Sequence, residues 1–135
     1  MFRDMETIRY LCTEEDKNAM PKNHPKVVYM EEALTFIESL PRAAGDKLLE
    51  VVHRVECGER NAQLFKKLGG SEIWEFRALY NRNAYRLFAF WDTEEETLVI
   101  ATHGIVKKTQ KTPSKEIAKA EKTRQEYFKC KARQK

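Results

Sequence analysis

The fold is decided by residues 72–107, which read EIWEFRALYNRNAYRLFAFWDTEEETLVIATHGIVK. This stretch contains three runs rich in aromatic and β-branched side chains, at residues 72–80, 84–92 and 96–107. The connections between the runs, residues 81–83 and 93–95, are short and polar. Because strands joined by such short turns pair in opposite directions, the stretch predicts a three-stranded antiparallel meander.

The alternation of side chains predicts what lies on each face of this sheet. Trp74 and Phe76 alternate with Glu75 and Arg77, so the first strand has one apolar and one charged face. The second strand is apolar on both faces, which is typical of a central, covered strand. Arg86 is the exception there. A buried cation costs free energy unless it meets an anion or a carboxylate such as Glu75.

On the N-terminal side of this stretch, apolar residues recur at the spacing of a helix. Two helices are predicted, one ended by Pro41 and one ended just before Gly58. A short strand at residues 26–30 precedes them. Residues 1–25 show no long periodic stretch, so we interpret them as an N-terminal extension to a domain spanning residues 26–135.

Towards the C-terminus, Thr112 and Pro113 predict the N-cap and the first residue of a last helix. The predicted order is therefore strand, two helices, three strands and one helix. This order indicates an α+β fold, in which an N-terminal helical hairpin and a C-terminal helix pack on an antiparallel sheet.

Composition excludes several classes of protein. The three Cys and three His residues are dispersed without ligand spacing, which predicts no metal site, no disulfide framework and no cofactor. No apolar run approaches the ~20 residues that span a bilayer, and no secretory signal is evident, so we predict no membrane association and a cytoplasmic location. Residues 101–135 carry eleven basic and three acidic side chains. This charge favours a phosphate backbone as partner, although a solvated Lys-rich helix explains it equally well.

Basic residues are the main candidates for chemistry. Cleavage of RNA without a metal needs a base for the ribose 2′-hydroxyl, cations for the charged transition state and an acid for the departing 5′-oxygen. Arg fits a phosphate, Lys can act as the base only when burial or nearby cations lower its pKa, and His is a ready proton carrier. The candidates at strand positions or strand ends are Lys66, Lys67, Arg77, Arg82, Arg86, His103, Lys107, Lys108 and Lys111. Considered separately, Arg77 could equally be a structural partner of a carboxylate such as Glu75 or Glu72, and His103 a core histidine.

Residues 103–113, HGIVKKTQKTP, change this balance. They resemble the signature of the HigB-like, phage-derived branch of the RelE/ParE toxin superfamily, in which a strand ending His-Gly-Phe-x-Lys-Lys runs into Thr-Pro and a helix. Residues 67–77 and 83–88 fit the same pattern in order. The resemblance covers about residues 26–128. Ile105 replaces the usual aromatic residue, and residues 1–25 have no counterpart.

The resemblance implies a compact RelE-like domain and a metal-independent endoribonuclease that cuts mRNA on the ribosome. The implied reaction is attack of the 2′-hydroxyl on the scissile phosphate. The implied partners are mRNA and ribosomal RNA, and a cognate antitoxin of the helix-turn-helix type. By resemblance, Arg77 and Arg86 would hold the phosphate, while Lys107 and Lys108 would supply charge or proton transfer. His103 is the other candidate base, and the candidate RNA-binding residues are Lys66, Lys67, Arg82 and Lys111.

Two other functions remain compatible with the sequence. One is a ParE-type inhibitor of DNA gyrase, which uses the same scaffold without nuclease chemistry. The other is a non-catalytic, prophage-derived nucleic-acid-binding protein. Whether expression stops translation, damages DNA through gyrase or has no effect would distinguish the three.

Overall fold

The computed structural model describes residues 24–94, 98–107 and 111–133. In chain order, the elements are β1 (Lys26–Tyr29), α1 (Glu31–Ser39), α2 (Arg42–Glu56), β2 (Phe65–Lys67), β3 (Trp74–Tyr80), β4 (Asn83–Trp91), β5 (Leu98–Lys107) and α3 (Ser114–Arg133). The predicted α+β class is confirmed, with the helical hairpin before the meander and one helix after it. Most of the predicted N-terminal extension, residues 1–23, and the candidate residue Lys108 lie outside the described residues.

The sheet has five strands in the order β1-β5-β4-β3-β2. The pairs β2–β3, β3–β4 and β4–β5 are antiparallel, as expected for the meander. However, β1 runs parallel to β5, so the sheet is mixed and not wholly antiparallel. The pairing of β1 joins residues more than 70 positions apart in the chain, and such a pairing cannot be read from local alternation.

The sheet is covered on both sides. Helices α1 and α2 bury Leu34, Leu48 and Val52 against Phe76 and Leu87 on one face, which we call the hairpin face. Helix α3 covers part of the other face, the α3 face, where Ala120 packs with Phe88, Phe90 and Ile100. Strand β4 therefore lies between two cores, and its almost complete burial confirms that it is a central strand.

Two chain reversals occur at the positions that the sequence predicts. Gly58 lies just beyond the end of α2 with a φ of +97°, a left-handed conformation that suits glycine after a helix. Asn81 and Arg82 connect β3 to β4 with φ values of 49° and 68°. Two successive left-handed residues are typical of the tight hairpin turn whose twist matches that of its strands.

Hydrogen bonds to one buried carboxylate hold the C-terminal end of α3 against the sheet. Asp92, at the end of β4, is fully buried and accepts hydrogen bonds from the Tyr127 hydroxyl, at 2.6 Å, and from the Lys131 amine.

None of the helices in the described part of the chain is long and apolar enough to cross a membrane.

Candidate active site

The candidate site lies on the α3 face, near the β3–β4 turn. Arg77 on β3 is directly opposite Arg86 on β4, and Arg86 is directly opposite Ile105 on β5. Side chains two residues apart on a strand share a face, so Glu75 lies beside Arg77 and Lys107 lies beside Ile105. Arg77, Arg86, Lys107 and the central Glu75 form what we call the cation cluster.

A register shift in the sheet brings Lys107 to this face. The pairing of β4 with β5 shifts between Phe88 and Ala89, so that Ala89 pairs with Ala101 while Phe88 pairs with His103. Thr102 is the extra residue of this β-bulge, and its hydroxyl lies 3.4 Å from the Phe88 carbonyl oxygen. Strict alternation from Ala101 would place Lys107 on the hairpin face, away from Arg86.

Glu75 is the centre of the cluster. One carboxylate oxygen lies 3.6 Å from Nε of Arg86, and the other lies 3.5 Å from Nε of Arg77. Two arginines directly opposite each other repel, and a carboxylate between them offsets that repulsion. The pairing of Arg86 with a carboxylate, an alternative that the sequence had left open, is therefore present.

Thr112 connects Lys107 to the same carboxylate. The Lys107 amine donates a hydrogen bond of 3.1 Å to the Thr112 hydroxyl, which donates one of 2.8 Å to Glu75. Thr112 does not begin α3, because the helix starts at Ser114. Its predicted role as N-cap is wrong, since its hydroxyl is used in this tertiary contact.

Burial sets the electrostatics of the cluster. Arg86 is 1% exposed and Glu75 3% exposed, whereas the side chain of Arg77 is 22% exposed. Burial is the main cause that lowers the pKa of Arg86 below its usual value, although the residue stays charged near neutrality. Burial, together with the charges of Arg86 and Arg77, also lowers the pKa of the Lys107 amine, while Glu75 opposes this shift. The cluster thus holds a lysine that loses its proton more readily than an ordinary one.

An open cleft of about 620 Å³ reaches two members of the cluster from the free edge of β3. Strand β2 ends its pairing at Phe76, so none of the described strands pairs with the last residues of β3 on that side. Arg77 and Arg86 line this cleft, together with Lys47 and Arg54 from α2. Leu79, on the same face as Arg77, is 61% exposed at the end of the strand. The cleft is therefore cationic with an apolar margin, which suits an anionic ligand such as a phosphodiester.

His103 lies on the α3 face but has other partners. It is 3% exposed, its Nε2 is 3.1 Å from a carboxylate oxygen of Glu116 on α3, and its ring packs against Phe88 at 5.0 Å. Burial lowers its pKa, and the hydrogen bond to Glu116 opposes that change. The structure therefore places His103 beneath α3, one row of side chains away from Arg86.

The candidate RNA-binding residues are exposed and spread around the cluster. Lys66 and Lys67 lie on the edge strand β2, where Lys66 pairs with Glu75 and Lys67 pairs with Trp74. Arg82 lies in the β3–β4 turn, and Lys111 precedes α3. Paired residues share a face, so Lys66 is on the α3 face and Lys67 on the hairpin face.

Sequence reasoning missed two residues as parts of the site, Glu75 within the cation cluster and Thr112 beside it. Glu75 was considered only as a partner for an arginine, and Thr112 only as a helix cap. The available signal for Glu75 was its position two residues before Arg77, on the one charged face of β3.

Within the described residues, no three His, Cys, Asp or Glu side chains form a group that could hold a metal ion.

Comparison with known proteins gives one family. Residues 35–125 match the model of the family described as phage derived protein Gp49-like (DUF891). No curated protein matches the chain significantly, and neither does any solved structure. The matched region extends from α1 into α3, so it contains the whole cation cluster and more than half of the sequence. The chain therefore belongs to the phage derived protein Gp49-like family.

Proposed function

We propose that this chain is the toxin of a type II toxin–antitoxin pair, a HigB-like endoribonuclease that cuts mRNA on the ribosome. The cation cluster is the observation that carries the proposal. It brings Arg77, Arg86 and Lys107 together from three strands, and the resemblance had assigned a phosphate and proton-transfer role to these same residues. Membership of a phage-derived family that is associated with toxin-like proteins also supports it.

Lys107 is the proposed base. Its lowered pKa raises the fraction of neutral amine that can take the proton of the ribose 2′-hydroxyl. We choose it over His103 because His103 is buried against Glu116 and Phe88, whereas Lys107 belongs to the cluster. Lys108 remains a second candidate from the sequence.

The arginines stabilise the charge that develops during the reaction. The 2′-oxygen forms a bond to phosphorus as the bond from phosphorus to the 5′-oxygen breaks, which gives a 2′,3′-cyclic phosphate and a 5′-hydroxyl. The proton that Lys107 receives is then available to the 5′-oxygen. Arg77, the more exposed arginine, contacts the phosphate. The buried Arg86 stabilises the negative charge of the phosphate electrostatically from the neighbouring strand.

The proposed reaction depends on the ribosome. The cluster supplies cations and one amine but few other groups for proton transfer, so correct placement of the 2′-oxygen must come from outside the chain. Lys66, Lys67, Arg82 and Lys111 are exposed and are proposed to hold mRNA and ribosomal RNA through their phosphates. A helix-turn-helix antitoxin is the proposed inhibitor.

Primer extension on mRNA after induction tests the proposal. Wild-type protein should produce cuts in translated mRNA, and co-expression of the product of the neighbouring gene should suppress them. Arg77→Ala should reduce cleavage by about 100-fold or more, the usual effect of removing one group that stabilises transition-state charge. Arg42→Gln, at an exposed position on α2, is the matched control and should cleave normally.

Three results would contradict the proposal. Growth arrest with DNA damage and intact mRNA would indicate a gyrase inhibitor. The absence of any growth effect would indicate a non-catalytic nucleic-acid-binding protein. Rapid cleavage of a purified transcript without ribosomes would contradict the ribosome-dependent mechanism.

A further inference from the structure

A second surface of the chain has an unusual chemistry. On the hairpin face, beyond the C-terminal end of α2, lies a groove of about 730 Å³ that we call the aromatic groove. Its walls include Phe65, Trp74 and Trp91, all of them half-buried. The volume lies within the range of pockets that hold small organic groups. These two Trp residues are the only ones in the sequence.

The rings form a connected cluster with accessible faces. Phe65 stacks on Trp74 with ring centroids 4.8 Å apart, and Trp74 meets Trp91 edge to face at 6.3 Å. Helix α2 ends at Glu56 and does not extend over them. Flat, partly exposed aromatic rings are the groups on which nucleobases stack.

The margin of the groove is positively charged. Arg60, Lys66 and Lys67 lie along it, and among the described residues that line it the acidic one is Glu59. Arg54 holds Glu59 through two hydrogen bonds of 2.8 and 2.6 Å, so the charge of that carboxylate is already neutralised. Lys67 is near Glu72 at 3.8 Å, but both side chains are about half exposed and such pairs are weak. The net positive margin complements a phosphate backbone.

Strand β2 connects this groove to the cation cluster. It is the outermost strand of the described sheet, so the groove and the cluster lie on its two faces. Lys66 faces the side of the cluster and Lys67 faces the side of the groove, because they pair with Glu75 and Trp74 respectively. Arg77 is only three residues from Trp74, or about 10 Å along the strand.

We infer that the aromatic groove is a binding site for bases of single-stranded RNA, in continuity with the cation cluster. The strand would cross the edge at β2, with its phosphates on the lysines and one or two bases stacked on the Trp rings. Because the inference places the RNA relative to the cleavage site, it rests on the proposed function. It assigns to Trp74 and Trp91 a role in holding the substrate and none in the chemistry.

Tryptophan fluorescence gives a direct test, because both Trp residues lie in the groove. Purified full-length protein is titrated with a single-stranded 2′-O-methyl oligoribonucleotide, which lacks the attacking hydroxyl and cannot be cleaved. We expect quenching of the Trp emission, and a dissociation constant about ten-fold larger for Trp74→Leu, in which Trp91 remains as reporter. Tyr80→Leu, a change of an exposed ring at the far end of β3, should bind like the wild type.

A second variant separates the effect of the groove from an effect on folding. Arg60→Gln combined with Lys67→Gln changes only the exposed margin. It should reduce the slope of log affinity against log salt by about 1.4, since each phosphate contact to a single strand contributes about 0.7. Circular dichroism of each variant establishes that it is folded.

The outcomes distinguish this inference from the proposed function. If Trp74→Leu binds the oligonucleotide and cleaves mRNA on ribosomes like the wild type, the inference is wrong and the proposed function stands. If the wild type binds through the groove but does not cut translated mRNA, the proposed function is wrong and the groove remains a site for RNA. The absence of quenching by any oligonucleotide would overturn the inference, and would leave an apolar peptide or residues 1–23 as the occupant to test.

Discussion

Removing the charge of Glu75 is the most informative perturbation of this protein. Glu75→Gln keeps the shape of the side chain and an oxygen for the Thr112 hydroxyl, but it removes the negative charge that lies 3.6 Å from the buried Arg86 and 3.5 Å from the neighbouring Arg77. Breaking a buried ion pair by removing one partner costs about 3–5 kcal/mol of the free energy of unfolding. For a domain of this size, that loss corresponds to a fall in melting temperature of roughly 10–20 °C.

A double variant separates stability from activity at the same position. In Glu75→Leu with Arg86→Met, both charges are replaced by apolar groups, and such replacements of a whole buried pair are often neutral or stabilising. We therefore expect the double variant to melt near the wild-type temperature, well above either single variant. It should nevertheless fail to cut mRNA, because the charge beneath the phosphate and the support of Lys107 are both lost.

The assay combines a thermal melt followed by circular dichroism with primer extension on ribosome-bound mRNA. Glu72→Gln, which alters an exposed carboxylate next to β3, is the control and should change neither quantity by more than a small amount. A melting temperature of Glu75→Gln within 2 °C of the wild type would refute the argument that this carboxylate balances buried charge. Normal cleavage by the double variant would refute the assignment of the cluster as the active site.

Three further predictions follow from particular contacts. Lys107 acts as a base only as the neutral amine, so the rate of single-turnover cleavage should rise with pH. Because the pKa of Lys107 is lowered, the rate should level off below the usual lysine pKa of about 10.4. A flat profile would contradict its role as base. Asp92→Asn should lower the melting temperature by roughly 5 °C, through weakened hydrogen bonds to α3. Burial opposes ionisation of Asp92, but its hydrogen bonds prevail and lower its pKa, so its contribution is present above about pH 4 and is lost as the pH falls further. The variant should accordingly lose less stability than the wild type between pH 5 and pH 3, measured by urea unfolding. An identical loss in both proteins would show that Asp92 does not contribute to the pH dependence of stability. Gly104→Ala would place a Cβ 2.3 Å from the Phe36 ring and should lower the free energy of unfolding, measured in urea, by about 1–3 kcal/mol. Gly69→Ala, with open space around it, should be neutral. Equal effects of the two substitutions would show that α1 can shift freely.

The meander and the pairing of Arg86 could be predicted because both depend on local patterns. Alternating side chains and short polar connections specify strands and turns without knowledge of distant contacts. A single cation within an apolar strand requires a counter-charge, and Glu75 on the neighbouring strand was the evident carboxylate. In both cases, the residues on which the prediction depends lie within residues 72–107.

The missed features depend on contacts between distant parts of the chain. Strand β2 has only three residues, two of them lysines, so its pattern carries no signal of a strand. The parallel direction of β1 comes from its pairing with β5, beyond two helices. Thr112 satisfied the local rule for a helix cap, yet its hydroxyl bonds to Glu75, 37 residues earlier, because a buried carboxylate competes well for a donor.

The β-bulge at Thr102 explains why the candidate site could be located by resemblance but not by alternation. Counting along β5 from the buried Ala101 places His103, Ile105 and Lys107 on the hairpin face, with no way to meet Arg86. The extra residue reverses that assignment for the rest of the strand, so Lys107 joins the arginines, while Gly104 turns towards α1, where the Phe36 ring leaves no room for a Cβ. A bulge has no pattern of its own in this sequence, since Thr102 is as compatible with a regular strand as its neighbours are. The chemistry proposed for this chain therefore depends on one inserted residue whose effect becomes visible only when β4 and β5 are paired.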